Sequence, residues 1–142
     1  MPGPVVTLTS VIVRLARDAR TALDQQFAAY DLTSQQAGVL IRVYGGEHSP
    51  RRIADLLGTD TAGMTRLLDR LESKGLIQRE RDAGDRRAIV VALTDEGAAL
   101  IPLLPGVFER VGGSLAAGIP ESDIQTTLRV LEAMLRNAQK EA

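Results

Sequence analysis

Apolar residues recur every three or four positions at both ends of the chain, and this spacing predicts a long helix at each end. The first helix covers about 5–30, where the apolar face is formed by Leu8, Ile12, Leu15, Ala19, Leu23, Phe27 and Tyr30. The last helix follows Pro120 and carries Ile124, Leu128, Leu131, Leu135 and Ala138. Each apolar stripe needs a partner surface, either in the same chain or in a second copy.

Between these helices, start and stop signals predict a pair of short helices. Ser49-Pro50 suits a helix start, because serine can accept a hydrogen bond from an unpaired amide and proline is tolerated at the first helical position. This helix is expected to stop at Gly58, and Asp60 can cap a second helix over about 61–74. Two short helices separated by a turn with glycine are typical of a helix-turn-helix.

Two further helices are expected on either side of this pair. Thr33 or Ser34 can cap a helix that runs to Tyr44 and ends at two glycines. Thr94 is expected to open another helix, since the two acidic residues that follow it suit the positive end of the helix dipole. This later helix should be kinked or divided at Pro102, Pro105-Gly106 and Gly112-Gly113.

Beyond residue 75 the pattern changes from helical to extended. Residues 76–80 could form a short strand, and 88–94 form the only strongly β-branched run of the chain, which predicts a second strand. Residues 82–87 between them have the composition of a turn. The pattern therefore predicts a hairpin wing beside the helix pair.

The wing tip carries the sequence Asp85-Arg86-Arg87. An arginine at such a tip can enter a narrow minor groove of DNA, where the negative potential is strongest. Asp85 or Asp82 could hold one of the guanidinium groups by a charge-assisted hydrogen bond. The alternative is a turn whose charges serve only solubility.

The helix pair offers further candidate contacts to DNA. In a helix-turn-helix the N-terminal residues of the second helix face the base edges, and here they include Thr61, Thr65 and Arg66. Gly63 either permits close approach of the backbone to DNA or has no function of its own. The candidate phosphate contacts are Arg51, Arg52, Arg70 and Lys74. Any one of these could be a solvated surface charge, but their clustering favours a DNA surface.

The net charge of -1 hides an uneven distribution. Residues 51–87 carry nine basic and seven acidic side chains, a balance of +2. Residues 88–142 carry four basic and seven acidic side chains, a balance of -3. The positive potential is therefore concentrated in the predicted helix pair and wing, which modestly supports DNA binding.

Composition excludes several other classes of function. Cysteine is absent, which rules out disulfides and thiol redox sensing and fits a reducing cytoplasm. His48 is the only histidine and cannot form a metal site alone, so neither a metal nor a cofactor is expected. The sequence has no signal-peptide pattern, no apolar run of about 18 residues that could span a bilayer, and no nucleotide-binding or hydrolase motif. We therefore expect a cytoplasmic protein without membrane contact that is not an enzyme.

The most specific motifs follow the second helix of the pair. They are Leu67-Leu68-Asp69-Arg70-Leu71-Glu72, then Lys74-Gly75-Leu76-Ile77, Arg79, Asp82, Asp85-Arg86-Arg87, Val91, Leu93-Thr94 and Gly97. This pattern resembles the MarR family of transcriptional regulators over nearly the whole chain. The resemblance implies a homodimeric repressor of pseudo-palindromic operators, which is released by a small phenolic or aromatic acid bound between the dimerisation and DNA-binding layers.

The expected fold is mostly α with a small β-hairpin wing, a winged helix-turn-helix flanked by N- and C-terminal dimerisation helices. Residues 1–142 would form a single domain, with 32–94 as the DNA-binding portion and 5–30 and 95–140 as the helical dimerisation portion. The candidate effector contacts near the implied pocket are Arg14, Tyr30, Arg42, Tyr44 and His48, each of which could equally be a residue without a ligand. The main alternative function is a dimeric helical adaptor that does not bind DNA, although the intact wing arginines argue against it.

Overall fold

The computed structural model describes residues 1–141, which form helices and one two-stranded hairpin. In chain order the elements are α1 (Pro4–Phe27), a 3-10 turn (Ala28–Tyr30), α2 (Ser34–Tyr44), α3 (Pro50–Leu57), α4 (Thr61–Ser73), β1 (Ile77–Arg81), β2 (Ile89–Leu93), α5 (Asp95–Leu100), a second 3-10 turn (Ile101–Leu103), α6 (Leu104–Ala116) and α7 (Glu121–Glu141). The mostly helical fold with a hairpin wing is confirmed.

Local capping explains where the central helices begin. Thr33 and Gln36 form a reciprocal capping box at the start of α2. The side chains of Ser49, Asp60 and Thr94 accept backbone amide hydrogen bonds at the starts of α3, α4 and α5. Each cap satisfies an amide that has no partner within the helix, which is why these boundaries could be predicted from the sequence.

Helix ends follow equally local rules, with one exception. Gly58 after α3 and Gly75 after α4 have φ values of 67° and 74°, a left-handed conformation that glycine adopts at little cost. Asp31 takes the same conformation, with φ 55°, between the first 3-10 turn and α2. Gly112-Gly113 was expected to kink or divide a helix, and a division there is wrong, since α6 continues through both glycines to Ala116. Glycine costs a helix only about 1 kcal/mol, too little to break one by itself.

The hairpin is antiparallel and its register pairs Ile77 with Leu93 and Arg81 with Ile89. A further backbone bond joins the segment before α3 to β2, because the Val91 amide donates to the His48 carbonyl over 2.9 Å. The middle of β2 is therefore fixed to the segment that leads into α3.

The chain forms two compact units, Met1–Phe108 and the residues from Glu109 onward. The boundary between these two units lies within α6. The core of the first unit is apolar and includes Phe27, Val39, Leu40, Ile53, Leu68, Leu71, Ile77, Val91, Leu104 and Val107. These residues join α1 and α2 to the helix pair and the wing.

Candidate nucleic-acid interface

The start of α4 is held by a tight cap. The Asp60 carboxylate accepts a hydrogen bond from the Gly63 amide over 2.7 Å. A Cβ atom on Gly63 would lie 3.0 Å from Asp60 Oδ1 and would overlap the Thr59 hydroxyl. Packing within the turn therefore favours glycine at this position, since a side chain would require Thr59 and Asp60 to shift, and close approach to DNA is not needed to explain it.

Exposed and buried residues alternate along α4 with helical spacing. Met64, Leu68 and Leu71 are buried, whereas Thr61, Thr65, Arg66 and Arg70 are exposed. The Thr65 hydroxyl donates to the Thr61 carbonyl over 2.9 Å, so toward solvent this side chain offers its methyl group and an oxygen lone pair. On this helix Arg66 and Arg70 are the exposed side chains that carry positive charge.

A groove of about 880 Å³ lies between the starts of α3 and α4 and the tip end of the wing, at the start of β2. Four of the sequence-predicted DNA residues line it: Arg51, Thr61, Thr65 and Arg87. Arg66 and Arg70 line a separate hollow, beside the start of α2. The structure thus places the predicted contacts on both sides of α4, with α4 projecting between them.

Two aspartates shape the wing tip through the backbone. Asp82 Oδ1 accepts from the Gly84 amide over 3.2 Å, and Asp85 Oδ1 accepts from the Arg87 amide over 3.0 Å. Such bonds are typical of turns in which an aspartate side chain holds the chain two residues further on. The expectation that Asp85 or Asp82 holds a guanidinium group is wrong, since each carboxylate holds a backbone amide.

Arg86 and Arg87 are exposed, and within residues 1–141 their guanidinium groups have no hydrogen-bond or ion-pair partner. The Arg86 carbonyl accepts a hydrogen bond from Arg81 over 3.4 Å, which ties the tip to β1. Arg86 and Arg87 therefore project from a short turn, with Arg81 beside them at the end of β1, and the side chains of Arg86 and Arg87 are unpaired. Such groups can form hydrogen bonds to an anionic partner without first breaking an internal contact.

Two of the predicted phosphate contacts have partners inside the protein. Arg52 lies 3.3 Å from the Glu47 carboxylate, although its side chain remains 75% exposed. The Lys74 ammonium donates to the Asp31 carbonyl and to Gln36 Oε1, and its side chain is only 28% exposed. Arg52 stays available to an external anion, whereas Lys74 is directed into the protein.

Sequence reasoning missed the role of Arg79 on β1. Its guanidinium group contacts Asp69 over 2.7 Å and Glu72 over 3.0 Å, both on α4. This pair of contacts fixes the first wing strand to α4. The signal was available in the sequence, since two acids three residues apart share one face of α4 and a basic residue follows on the next strand.

The Arg79 contacts also predict a pH dependence of stability. The hydrogen bond from Arg79 lowers the pKa of Glu72 below its ordinary value of 4.5. A carboxylate with a lowered pKa stabilises the fold at neutral pH, and this contribution is lost as the pH falls through the folded-state pKa. We expect Arg79→Gln to lower the free energy of unfolding at pH 7, and we expect this difference from wild type to shrink as the pH falls below 4.5. Urea unfolding at pH 7 and pH 3, with Arg81→Gln as control, measures the difference in unfolding free energy between variant and wild type. A difference that is equal at the two pH values contradicts the prediction.

Known proteins share this architecture and part of the sequence pattern. The model of the MarR family matches residues 30–88, which include α2, the helix pair and the wing tip. A MarR transcriptional regulator from Methanosarcina mazei Go1 is similar, with a TM-score of 0.87, 25% identity, and 96% of this chain and 99% of that chain covered. Residues 30–88 therefore belong to the MarR family.

Two other similar structures contain DNA. A cysteine-to-serine mutant of E. coli MarR in complex with operator DNA has a TM-score of 0.83 and 25% identity, and covers 92% of this chain and 95% of that one. An S. aureus MepR-DNA complex has a TM-score of 0.80 and 25% identity, with 91% and 96% covered. The matched family model and these structures identify the chain as a transcriptional regulator and not an enzyme.

The five candidate effector residues of this chain do not meet in one place. Arg42 borders a hollow between α1 and α2, whereas Arg14 borders a separate hollow along α1. Tyr30 packs against the core, and Tyr44 is 67% exposed at the end of α2. His48 uses its ring for structure, because Nδ1 donates to the Val91 carbonyl over 2.8 Å. The grouping expected from the sequence is therefore not present within the first unit.

The hollow at Arg42 has the composition of a small-molecule site. It measures about 390 Å³, and its floor is apolar, with Leu23, Ile41, Leu57 and Phe108. Arg20 of α1 also borders it, a residue that sequence reasoning missed because nothing in the pattern places it opposite α2.

Along residues 1–141, no helix combines the length and the apolar character needed to cross a membrane. In the same residues, no three histidine, aspartate or glutamate side chains are grouped so that they could bind a metal ion.

Proposed function

We propose that this chain is a homodimeric repressor that binds pseudo-palindromic DNA operators. The observation that carries the proposal is the wing, where the unpaired guanidinium groups of Arg86 and Arg87 stand beside the groove at the start of α4. A duplex fits this arrangement chemically, because the exposed side chains of α4 offer contacts to base edges in the major groove and the wing arginines offer contacts in the minor groove. The DNA-bound similar structures support the same mode of binding.

The homodimer is supported by apolar side chains that the monomer leaves exposed. On α1 they are Val5, Val6, Leu8, Val11, Val13 and Leu15. On α7, where no residue is buried, they are Leu128, Val130, Leu131 and Leu135. Exposed apolar surface on two helices favours association with a second copy. A two-fold dimer would also present two wings to two half-sites about one helical turn apart.

The effector part of the proposal rests on the hollow between α1 and α2. Its two arginines, Arg20 and Arg42, suit a carboxylate, while the apolar floor suits an aromatic ring. We therefore propose a phenolic or aromatic acid as the ligand that releases DNA. Of the original candidates this site retains Arg42; Arg14, Tyr30, Tyr44 and His48 lie outside it.

One experiment tests the three parts together. DNA bound by the purified chain is selected from a random pool and sequenced, and the selection is repeated with a panel of aromatic acids. We expect an enriched palindrome with half-sites about 10 base pairs apart, and loss of enrichment with at least one acid. No enrichment contradicts DNA binding, an unpaired half-site contradicts the dimer, and enrichment unchanged by every acid contradicts the effector.

Arg66 and Arg51 are expected to contribute differently to DNA binding. Arg66→Ala should alter the selected sequence, because Arg66 is the only exposed α4 side chain near the helix start that can bind guanine with two hydrogen bonds. Arg51→Ala should weaken binding to all sequences and reduce the salt dependence by about one phosphate contact. Affinities for matched and mismatched operators at several salt concentrations distinguish these effects. An equal loss on all sequences for Arg66→Ala would instead assign it to phosphate contact.

A further inference from the structure

Lys74, which the sequence suggests as a phosphate contact, lies at the end of α4 and points back into the protein. Its ammonium group donates to the Asp31 carbonyl and to Gln36 Oε1, the latter over 3.0 Å. The Asp31 carboxylate lies 3.8 Å away and adds a weak ion pair. Two hydrogen bonds and one opposite charge therefore satisfy this cation in the absence of DNA.

The acceptors of Lys74 belong to a hydrogen-bonded corner between α1 and α2. Gln36 Oε1 also accepts from the Thr33 amide over 3.1 Å, and the Thr33 hydroxyl accepts from the Gln36 amide over the same distance. On the α1 side, Asp24 Oδ1 accepts from the Ser34 amide over 2.7 Å. Gln36 is only 3% exposed, so water cannot easily replace a lost donor. A continuous series of polar contacts thus runs from α1 to the end of α4.

We propose that Lys74 is a positioning residue for DNA binding, which fixes the direction of α4 by anchoring its end to the corner between α1 and α2. The proposal rests on the DNA-binding function proposed above. A helix of 13 residues is about 20 Å long, so a tilt of about 10° moves its far end by about 3 Å. Hydrogen bonds to bases need distances of about 2.7–3.2 Å, so a shift of this size at Thr61 or Arg66 would remove them.

Apolar packing alone leaves this direction less well defined. Met64, Leu68 and Leu71 hold one side of α4 on the core, but apolar contact has no preferred direction. Arg79 provides directed bonds to Asp69 and Glu72, from the side of the wing. Lys74, which directly follows α4, supplies directed bonds on the opposite side. These bonds link the end of the helix to the corner between α1 and α2.

The test compares Lys74→Met with Arg70→Met, which removes an exposed cation one turn earlier on the same helix. Affinity for the selected operator is measured by fluorescence anisotropy across a range of salt concentrations, well below the unfolding temperature of each variant. We expect Lys74→Met to lower affinity about tenfold, as for loss of a charged hydrogen bond, without changing the salt slope. Arg70→Met should lower the slope by about 0.9, the value for one lost phosphate contact. Lys74→Arg, which keeps the charge and donors, should recover most of the affinity.

Each other outcome overturns the proposal. A salt slope reduced by about 0.9 in Lys74→Met would make Lys74 a phosphate contact. Unchanged affinity with a lowered unfolding temperature would make it a residue of stability alone. If Lys74→Met does not fold, Lys74→Gln gives the same comparison. Failure of the wild-type chain to bind any selected DNA would contradict the proposed function instead, and it is recognised before a variant is compared.

Discussion

Replacing Arg86 and Arg87 together by alanine is expected to weaken operator binding by about a hundredfold or more at physiological salt, while the fold is retained. Each charge-assisted contact of this kind contributes about 1–3 kcal/mol, and two are lost. The exposed guanidinium groups have no partner within residues 1–141, so their removal breaks no internal contact. Binding should therefore change far more than stability.

Anisotropy with the selected operator, together with urea unfolding, checks this expectation. A suitable control is Arg17→Ala with Lys140→Ala, which removes the same charge at two exposed positions that do not line the groove. This control measures the effect of net charge alone, which should be much smaller because salt screens distant charges. Unchanged affinity for the wing variant would remove the wing from DNA binding. An equal loss in the control would attribute the effect to overall charge.

The fold could be predicted from the sequence wherever a boundary depends on neighbouring residues. Asp60 caps α4 through a bond to an amide three residues away, and Gly58 and Gly75 end their helices through their own backbone conformation. The second strand could be predicted in the same way, because a β-branched run that follows a turn indicates a strand. Gly112-Gly113 was predicted wrongly because glycine only weakens a helix, and other factors decide whether the helix continues.

The site was harder to predict, because it depends on which distant groups meet. Lys74 and Asp31 are 43 positions apart, and no pattern in the sequence places that ammonium against the corner between α1 and α2. Asp85 or Asp82 was expected to hold a guanidinium group, but Asp85 Oδ1 instead accepts a hydrogen bond from the nearby backbone amide of Arg87. Positions on an element can be read from periodicity, but the partner of a long charged side chain is set by tertiary packing.

Gly97 shows the same limit, and it supports the second large expected effect. It was visible in the sequence only as part of a motif, without a physical reason. In the structure it is buried in the first turn of α5, and a Cβ atom there would overlap the Leu76 carbonyl oxygen and lie 3.0 Å from the Leu76 carbonyl carbon. The obstacle is backbone, which cannot rotate away as a side chain can.

The contact at Gly97 is part of a compact joint between α5 and the start of the wing. The Leu76 carbonyl accepts from the Thr94 amide over 3.1 Å. The Thr94 hydroxyl donates to the Gly75 carbonyl over 2.6 Å and accepts from the Gly97 amide over 3.1 Å. A methyl group at Gly97 must separate α5 from this segment and break these bonds together.

Gly97→Ala is therefore expected to lower the free energy of unfolding by about 3 kcal/mol, at the upper end of the range for overpacked sites. Urea unfolding at one fixed protein concentration measures it, since a dimer's stability depends on concentration. Gly84→Ala is the matched control, because a Cβ there meets only Asp82 Oδ1 at 4.0 Å and its φ is not positive. That variant should stay within about 0.5 kcal/mol of wild type. Equal effects of the two substitutions would mean that α5 can move away from Leu76 without a loss of stability. Close packing at Gly97 would then not be needed to hold α5 against the start of the wing.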